Sequence, residues 1–408
     1  MRVVWEILKI TAVWIGILLA AAFIFEGALR LGNRDINPLA EISQKNQGQL
    51  FVPHSSLHSV SSVPGEFDYT AGINRWGYRG PDFENPKPSG VRRVFVIGDS
   101  FTFGVGSPDD QTIPALLQRG LGARERSIEV VNAGIGGTSP VTHYVNLRDI
   151  HLRYQPDAVV LMLDMTDLWD DWNSDRHALR GKDGDIAGFD ATRVNGRRDL
   201  WVTMTYYSFF CRYINNKVVR TIHKVQVLGV DGYIKAVRDG KRAKAVIATA
   251  ADGNVRESSI EYDGLVFMRG RGKEAMIREH WARTAAYILK IRDMLAYRNI
   301  PMVLVFYPHG IYVDGNQWQE GRKTWGFDAG KRYDDYLPFE IVEDFARKNS
   351  IPYVNTLGAF LRAPAVQYFF TWDGHLTCAG NRIVSEALLS DSVFLNVVLS
   401  AKGDSATQ

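Results

Sequence analysis

Residues 91–104 read VRRVFVIGDSFTFG. The run Val94–Phe95–Val96–Ile97 is continuously apolar, as in a strand covered on both faces. Gly98–Asp99–Ser100 ends it, so the serine is exposed at the strand's carboxyl end. The pattern recurs along the chain. Ile128–Val131 (IEVV) is a second strand, ended by Asn132–Ala133–Gly134; Ala158–Leu163 (AVVLML) is a third and Pro301–Tyr307 (PMVLVFY) a fourth. A further strand falls at 352–355, and helices are expected at 111–122, 139–153, 274–297, 338–348 and 379–398. Apolar strands alternating with helices predict a mainly parallel sheet in a three-layer α/β/α domain over 91–400. Such open sheets bind ligands outside the carboxyl ends of their strands. Asp99 and Ser100, Gly134, and Asp164 to Asp167 all fall there.

Working outward, residues 10–25 (ITAVWIGILLAAAFIF) carry no charge. A spanning helix needs ~20 mainly apolar residues. The run reaches that length if Glu6 and Lys9 snorkel to the interface and it continues to Leu29. Residues 1–32 are therefore expected to be an N-terminal transmembrane helix. The alternatives are a cleaved signal peptide with Ala20–Ala21–Ala22 at its cleavage site and a buried core helix. Arg2 and Lys9 before the run nearly balance Arg30 and Arg34 after it, and the short N-terminal tail favours an N-in, C-out insertion. Residues 33–90, with many turn signals and no sustained periodicity, read as a juxtamembrane arm. An insertion at 172–273 interrupts the alternation and carries an aromatic segment at 201–214 (WVTMTYYSFFCRYI); it is placed over the sheet's active edge or toward the membrane, or else packs on the core without chemistry. Residues 401–408 are a polar tail.

Composition excludes several classes. With 48 Lys+Arg against 45 Asp+Glu the net charge is only +3, which calls for no nucleic-acid partner. Two cysteines build neither a disulfide scaffold nor a zinc-ribbon site, and whether Cys211 pairs with Cys378 is left open by the sequence. A mean hydropathy of −0.15 excludes a multi-span membrane protein but not a single span.

The serine hydroxyl is unreactive until a base takes its proton. That base should be a histidine held by a carboxylate. Thr371–Trp372–Asp373–Gly374–His375–Leu376 offers both, on a turn before the closing helix. Taken together, GDSFTFG at 98–104, NAGIGG at 132–137 and DGHLTCAGN at 373–381 resemble three blocks of the SGNH/GDSL hydrolase family, in the family's order. INRWGYRG at 73–80 is similar to the lead-in of its membrane-anchored bacterial members.

The resemblance implies a flavodoxin-like fold and a serine acyl-ester hydrolase or O-acyltransferase with no cofactor and no metal. It implies Ser100 as nucleophile, His375 as base and Asp373 as its orienter. The oxyanion hole would come from Ser100, Gly134 and Thr166, with Asp99, Asn132 and Asp167 in support. Two positions depart from the pattern. Thr166 stands where the family has an asparagine, and Asp373 lies two residues before His375 where many members have three. The shorter spacing resembles the alginate-acetylation branch.

The implied substrate is an acylated envelope glycan or lipid. The implied setting is the bacterial inner membrane, single-pass, with the main domain periplasmic or extracellular and room for a membrane-protein partner. The alternative is an inactive SGNH-fold subunit of an envelope assembly. Asp164, Asp167, Asp170 and Asp171 read either as a favourable helix N-terminus or as a hard-cation site. His309 ends the fourth strand after Pro308 and reads as a structural turn, with facing the site as the alternative.

Overall fold

The computed structural model describes residues 2–32, 50–51, 53–61, 65–189 and 264–400, with short stretches between 193 and 218. Its central sheet has five parallel strands: β1 (Arg92–Gly98), β2 (Ile128–Gly134), β3 (Ala158–Leu163), β4 (Met302–Phe306) and β5 (Tyr353–Asn355). They lie in the order β2-β1-β3-β4-β5. The chain thus steps from β1 to one side and then builds out on the other, and the crevice of such a sheet opens at the β1/β3 switch point. All of β3 and β4 is buried, so their sequences are continuously apolar and do not alternate. In register, Gly98 stands opposite Gly134 and Ile97 opposite Leu161, which brings three strand ends out together.

The longer helices are α1 (Arg2–Gly32), α2 (Ile113–Arg124), α3 (Pro140–Asp149), α4 (Asp167–Arg176), α5 (Glu274–Ala296), α6 (Leu337–Lys348), α7 (Cys378–Ser390) and α8 (Ser392–Ser400). α3, α4 and α5 pack on one another; α2 packs on α7, and α8 crosses β3 to β5. The closing helix, expected as one piece over 379–398, is two helices bent by 74°. The break has a local cause: Asp391 accepts the Phe394 amide at 2.9 Å and so caps a new helix.

Residues 50–90, read as an arm, dock on the body. Ser56–Val60 pairs antiparallel with Asp68–Gly72, and Tyr69, Ala71 and Ile73 pack with Phe103 and Ile135. Both ends of the 172–273 insertion also join the core: α4 runs into it, and Val266, Phe267 and Met268 are buried at its far end. Residues 219–263 lie outside the described residues. A short helix, Phe209–Ile214, lies against α1, where Glu26 accepts from Ser208 Oγ at 2.9 Å and the Phe210 amide at 2.7 Å. Lys9–Leu29 of α1 is unburied, with mean hydropathy 2.1 over 21 residues. It is long and apolar enough to cross a membrane by itself.

Candidate active site

At the end of β1 the chain enters a single helical turn, Ser100–Phe103. Asp99 caps it by accepting the Phe101 amide at 2.9 Å. The carbonyls at its far end are held by Arg79 of the INRWGYRG stretch. That buried guanidinium donates to Phe103 O and Gly104 O at 2.9 Å each and to Ser107 O at 2.6 Å, while its Nε pairs with Asp109 at 2.7 Å. The turn is thus fixed from both ends, and Ser100 is presented at the sheet's edge.

Three residues expected at the site come together there. Ser100 Oγ lies 2.7 Å from His375 Nε2. His375 Nδ1 contacts Asp373 Oδ1, which also accepts the His375 amide at 3.2 Å. The two-residue spacing therefore suffices to orient the ring. Glu66, from the docked 50–90 segment, anchors this loop by accepting the amides of Trp372 at 2.7 Å and Asp373 at 3.2 Å. Burial works against a charged His375, but Asp373 outweighs it, helped by Asp99 and Glu66, and the imidazole sits above its ordinary 6.5. Burial likewise opposes the Asp373 carboxylate, yet His375 holds it below the usual range. Burial raises Asp99, partly offset by His375. Asp99 also accepts from Tyr307 Oη at 3.3 Å, and its Oδ2 lies 3.3 Å from Ser100 Oγ.

Two expected oxyanion donors are engaged elsewhere. The Gly134 amide donates to Asn132 Oδ1 at 3.0 Å, and Asn132 Nδ2 donates to Phe103 O at 3.3 Å. A Cβ on Gly134 would lie 2.1 Å from the Phe103 nitrogen, so glycine is required for close packing on the Ser100–Phe103 turn. Gly137, three residues on, lines the cavity with Ser100. The Thr166 hydroxyl donates to Asp164 Oδ1 at 2.9 Å. Asp167 is buried and accepts the Asp164 amide at 2.7 Å. Asp171 takes the Val141 amide at 2.8 Å and the Thr284 hydroxyl at 2.5 Å. The acidic residues are thus bound to local amides and hydroxyls, and among the described residues no group of three or more His, Cys, Asp or Glu is disposed to hold a metal ion. Cys211 and Cys378 are both free.

The cavity over Ser100 measures about 930 Å³, and its walls include Trp169, Trp325, Trp318, Asp170 and His309. His309, read as a turn residue, is buried in this wall with its ring 4.3 Å from that of Trp318. Burial, then the charges of His375 and Arg322, lower its pKa to about 3, so it stays neutral. Its place just past the carboxyl end of β4, after Tyr307 and Pro308, is the signal behind the alternative that it faces the site. Glu66 and Asp170 had no sequence signal of comparable strength.

The family model described as GDSL-like lipase/acylhydrolase matches residues 96–327, more than half of the chain; Asp373 and His375 lie beyond the matched stretch. Solved structures with similarity include a catalytic mutant of an acetylxylan esterase from Geobacillus stearothermophilus. It is 15% identical, with 75% of this chain and 94% of that one covered and a TM-score of 0.35. A lipase/acylhydrolase from Enterococcus faecalis is 12% identical, with 78% and 100% covered and a TM-score of 0.34. An alpha/beta hydrolase from the metagenome of Lake Arreo is 15% identical, with 76% and 96% covered and a TM-score of 0.33. No curated protein matches the chain.

Proposed function

The chain belongs to the GDSL-like lipase/acylhydrolase family and is an acyl-ester hydrolase, and on that premise we propose that Ser100, His375 and Asp373 are its nucleophile, base and orienter. The observation that carries the reading is the continuous Ser100–His375–Asp373 chain, with 2.7 Å between Ser100 Oγ and His375 Nε2. His375 Nε2 takes the Ser100 proton as Oγ attacks the ester carbonyl carbon. The carbonyl π pair moves onto oxygen, then returns to expel the alkoxide, which receives the proton from His375. Water repeats the cycle on the acyl-enzyme; a sugar hydroxyl in its place would make the same site an O-acyltransferase. The Ser100 amide, at the start of its helical turn, and the Gly137 amide, lining the same cavity, are the backbone donors proposed for the oxyanion.

The substrate proposed is an acylated envelope glycan or lipid, received between the indoles of Trp169 and Trp325. α1 is the proposed single-pass anchor in the inner membrane, with the main domain in the periplasm. The Phe209–Ile214 helix resting on α1 supports a body held near the bilayer. In organisation, we propose 1–32 as the anchor, 33–90 as the juxtamembrane arm, 91–400 as the catalytic body with its insertion at 172–273, and 401–408 as a polar tail.

The test uses the full chain in detergent with p-nitrophenyl acetate and a fluorophosphonate probe. Wild type should turn over and be labelled, and Ser100→Ala should do neither. Equal behaviour of the two proteins would refute the serine mechanism and favour a non-catalytic role in an envelope assembly.

A further inference from the structure

The wall of the cavity built by the start of α4 is chemically unusual. Thr166 lines it, yet its hydroxyl is donated inward to Asp164 Oδ1 at 2.9 Å. One helical turn further on, Asp170 lines the same cavity with Ser100, Gly137 and His375, and its Oδ2 lies 3.5 Å from Thr166 Oγ1. Among the described residues its Oδ1 makes no hydrogen bond. We propose that Asp170, carrying its proton, donates the side-chain hydrogen bond to the substrate oxyanion that Thr166 does not supply. This rests on Ser100 being the nucleophile.

Two features support it. An ionised carboxylate facing a developing oxyanion would repel it, whereas a neutral carboxyl is a strong donor. Burial, then the charges of Asp99 and Asp171, raises Asp170 to about 7, so the acid form persists near neutrality. The other groups around it are Asp164 at the end of β3, Asp167 on its own helix, Arg269 of the 264–273 segment, and His309, His375 and Asp373 across the cavity. In the chemical step no proton leaves Asp170. The Ser100 proton goes to His375, the carbonyl pair moves to oxygen, and Asp170 holds that oxygen until the carbonyl re-forms.

The active state then needs neutral His375 and protonated Asp170, which gives a bell-shaped pH dependence. The measurement is the second-order rate of Ser100 labelling by a fluorophosphonate on the full chain, from about pH 6 to about pH 9, repeated with p-nitrophenyl acetate. Wild type should slow above about pH 7, by on the order of 100-fold at about pH 9. Asp170→Asn carries a permanent amide donor. It should stay within a few-fold of wild type at acid pH and lose the alkaline decline. Asp170→Ala should be slow throughout, by on the order of 100-fold. The proposal is overturned if Asp170→Asn keeps the alkaline decline, if Asp170→Ala matches wild type, or if Asp170→Asn is as slow as Asp170→Ala at acid pH. Absence of Ser100 labelling in wild type would instead refute the serine mechanism itself.

Discussion

Alanine at Gly134 tests whether this glycine serves packing or oxyanion binding. Its Cβ would lie 2.1 Å from Phe103 N, 2.6 Å from Thr102 C and 2.8 Å from Phe103 Cα. All three are backbone atoms, so no rotamer change relieves the clash. Since carbon contacts sit at ~3.5–4.0 Å, the nucleophile's turn must retreat by roughly 1 Å or more. Overpacking typically costs ~1–3 kcal/mol, and the upper end applies where the neighbours are backbone. At ~2–4 °C per kcal/mol, the melting temperature should fall by roughly 6–12 °C. Alanine keeps the N–H bonded to Asn132, so any loss of Ser100 labelling comes from the displaced turn; a 1 Å misplacement costs ~10²-fold. Gly137→Ala is the contrast. A Cβ there meets nothing within 4 Å, but φ is +71°. Its strain is ~1–2 kcal/mol, giving a smaller thermal loss. Circular-dichroism melts and labelling rates decide the matter. A Gly134→Ala protein that melts and labels like wild type would refute the packing argument.

Asp373→Asn should let the His375 pKa fall, moving the acid limb of the pH–rate profile to lower pH, while the maximal rate drops by ~10²–10⁴-fold as the base loses its orienter. The His375–Asp373 pair also stabilises the fold. Because His375 is raised, its contribution is full below 6.5 and lost as pH rises through the folded pKa; because Asp373 is lowered, its contribution is lost in acid. Melts of wild type and Asp373→Asn should therefore differ most between those limits. Glu66→Ala removes the acceptor of two loop amides, which costs ~1–3 kcal/mol of loop order. The rate of Ser100 labelling should fall although the reacting groups are intact. Deleting residues 1–32 should move the protein from the membrane fraction to the supernatant on centrifugation.

The strands, the fold and the Ser100–His375–Asp373 grouping were legible because their signals are local. Continuous apolar runs mark buried strands, and each residue of the grouping sits in a short, distinctive stretch. What escaped depends on direction or on distant partners. NAGIGG offers three glycines, and sequence cannot tell which one packs and which one faces the cavity. Gly134 is still paired in register with Gly98, while Gly137 lies past the strand end. Thr166 lines the cavity, but its hydroxyl turns to Asp164, and no spacing rule reports a rotamer. Glu66 meets Trp372 from 306 residues away. The break at Asp391 was hidden because Val393, Phe394 and Val397 continue the apolar pattern across it.

The aspartates beside Ser100 are costly to the fold, and that cost has a readable sign. Burial raises Asp164 and Asp167 well above the usual range, Asp170 to about 7 and Asp171 to about 6, with neighbouring carboxylates adding to the first three. In the unfolded chain each ionises near ~3.9. The unfolded state therefore releases protons first as pH rises, and stability falls between ~4 and the folded values. Thermal melts should show the protein losing stability from about pH 4 toward about pH 7, and Asp170→Asn should flatten part of that slope. If the slope is unchanged in Asp170→Asn, the carboxyl is not held neutral by its surroundings and cannot serve as the donor assigned to it. A wall built only for stability would replace these groups by apolar or amide side chains. A carboxyl held neutral in the wall over Ser100 is instead what the donor role proposed for Asp170 requires.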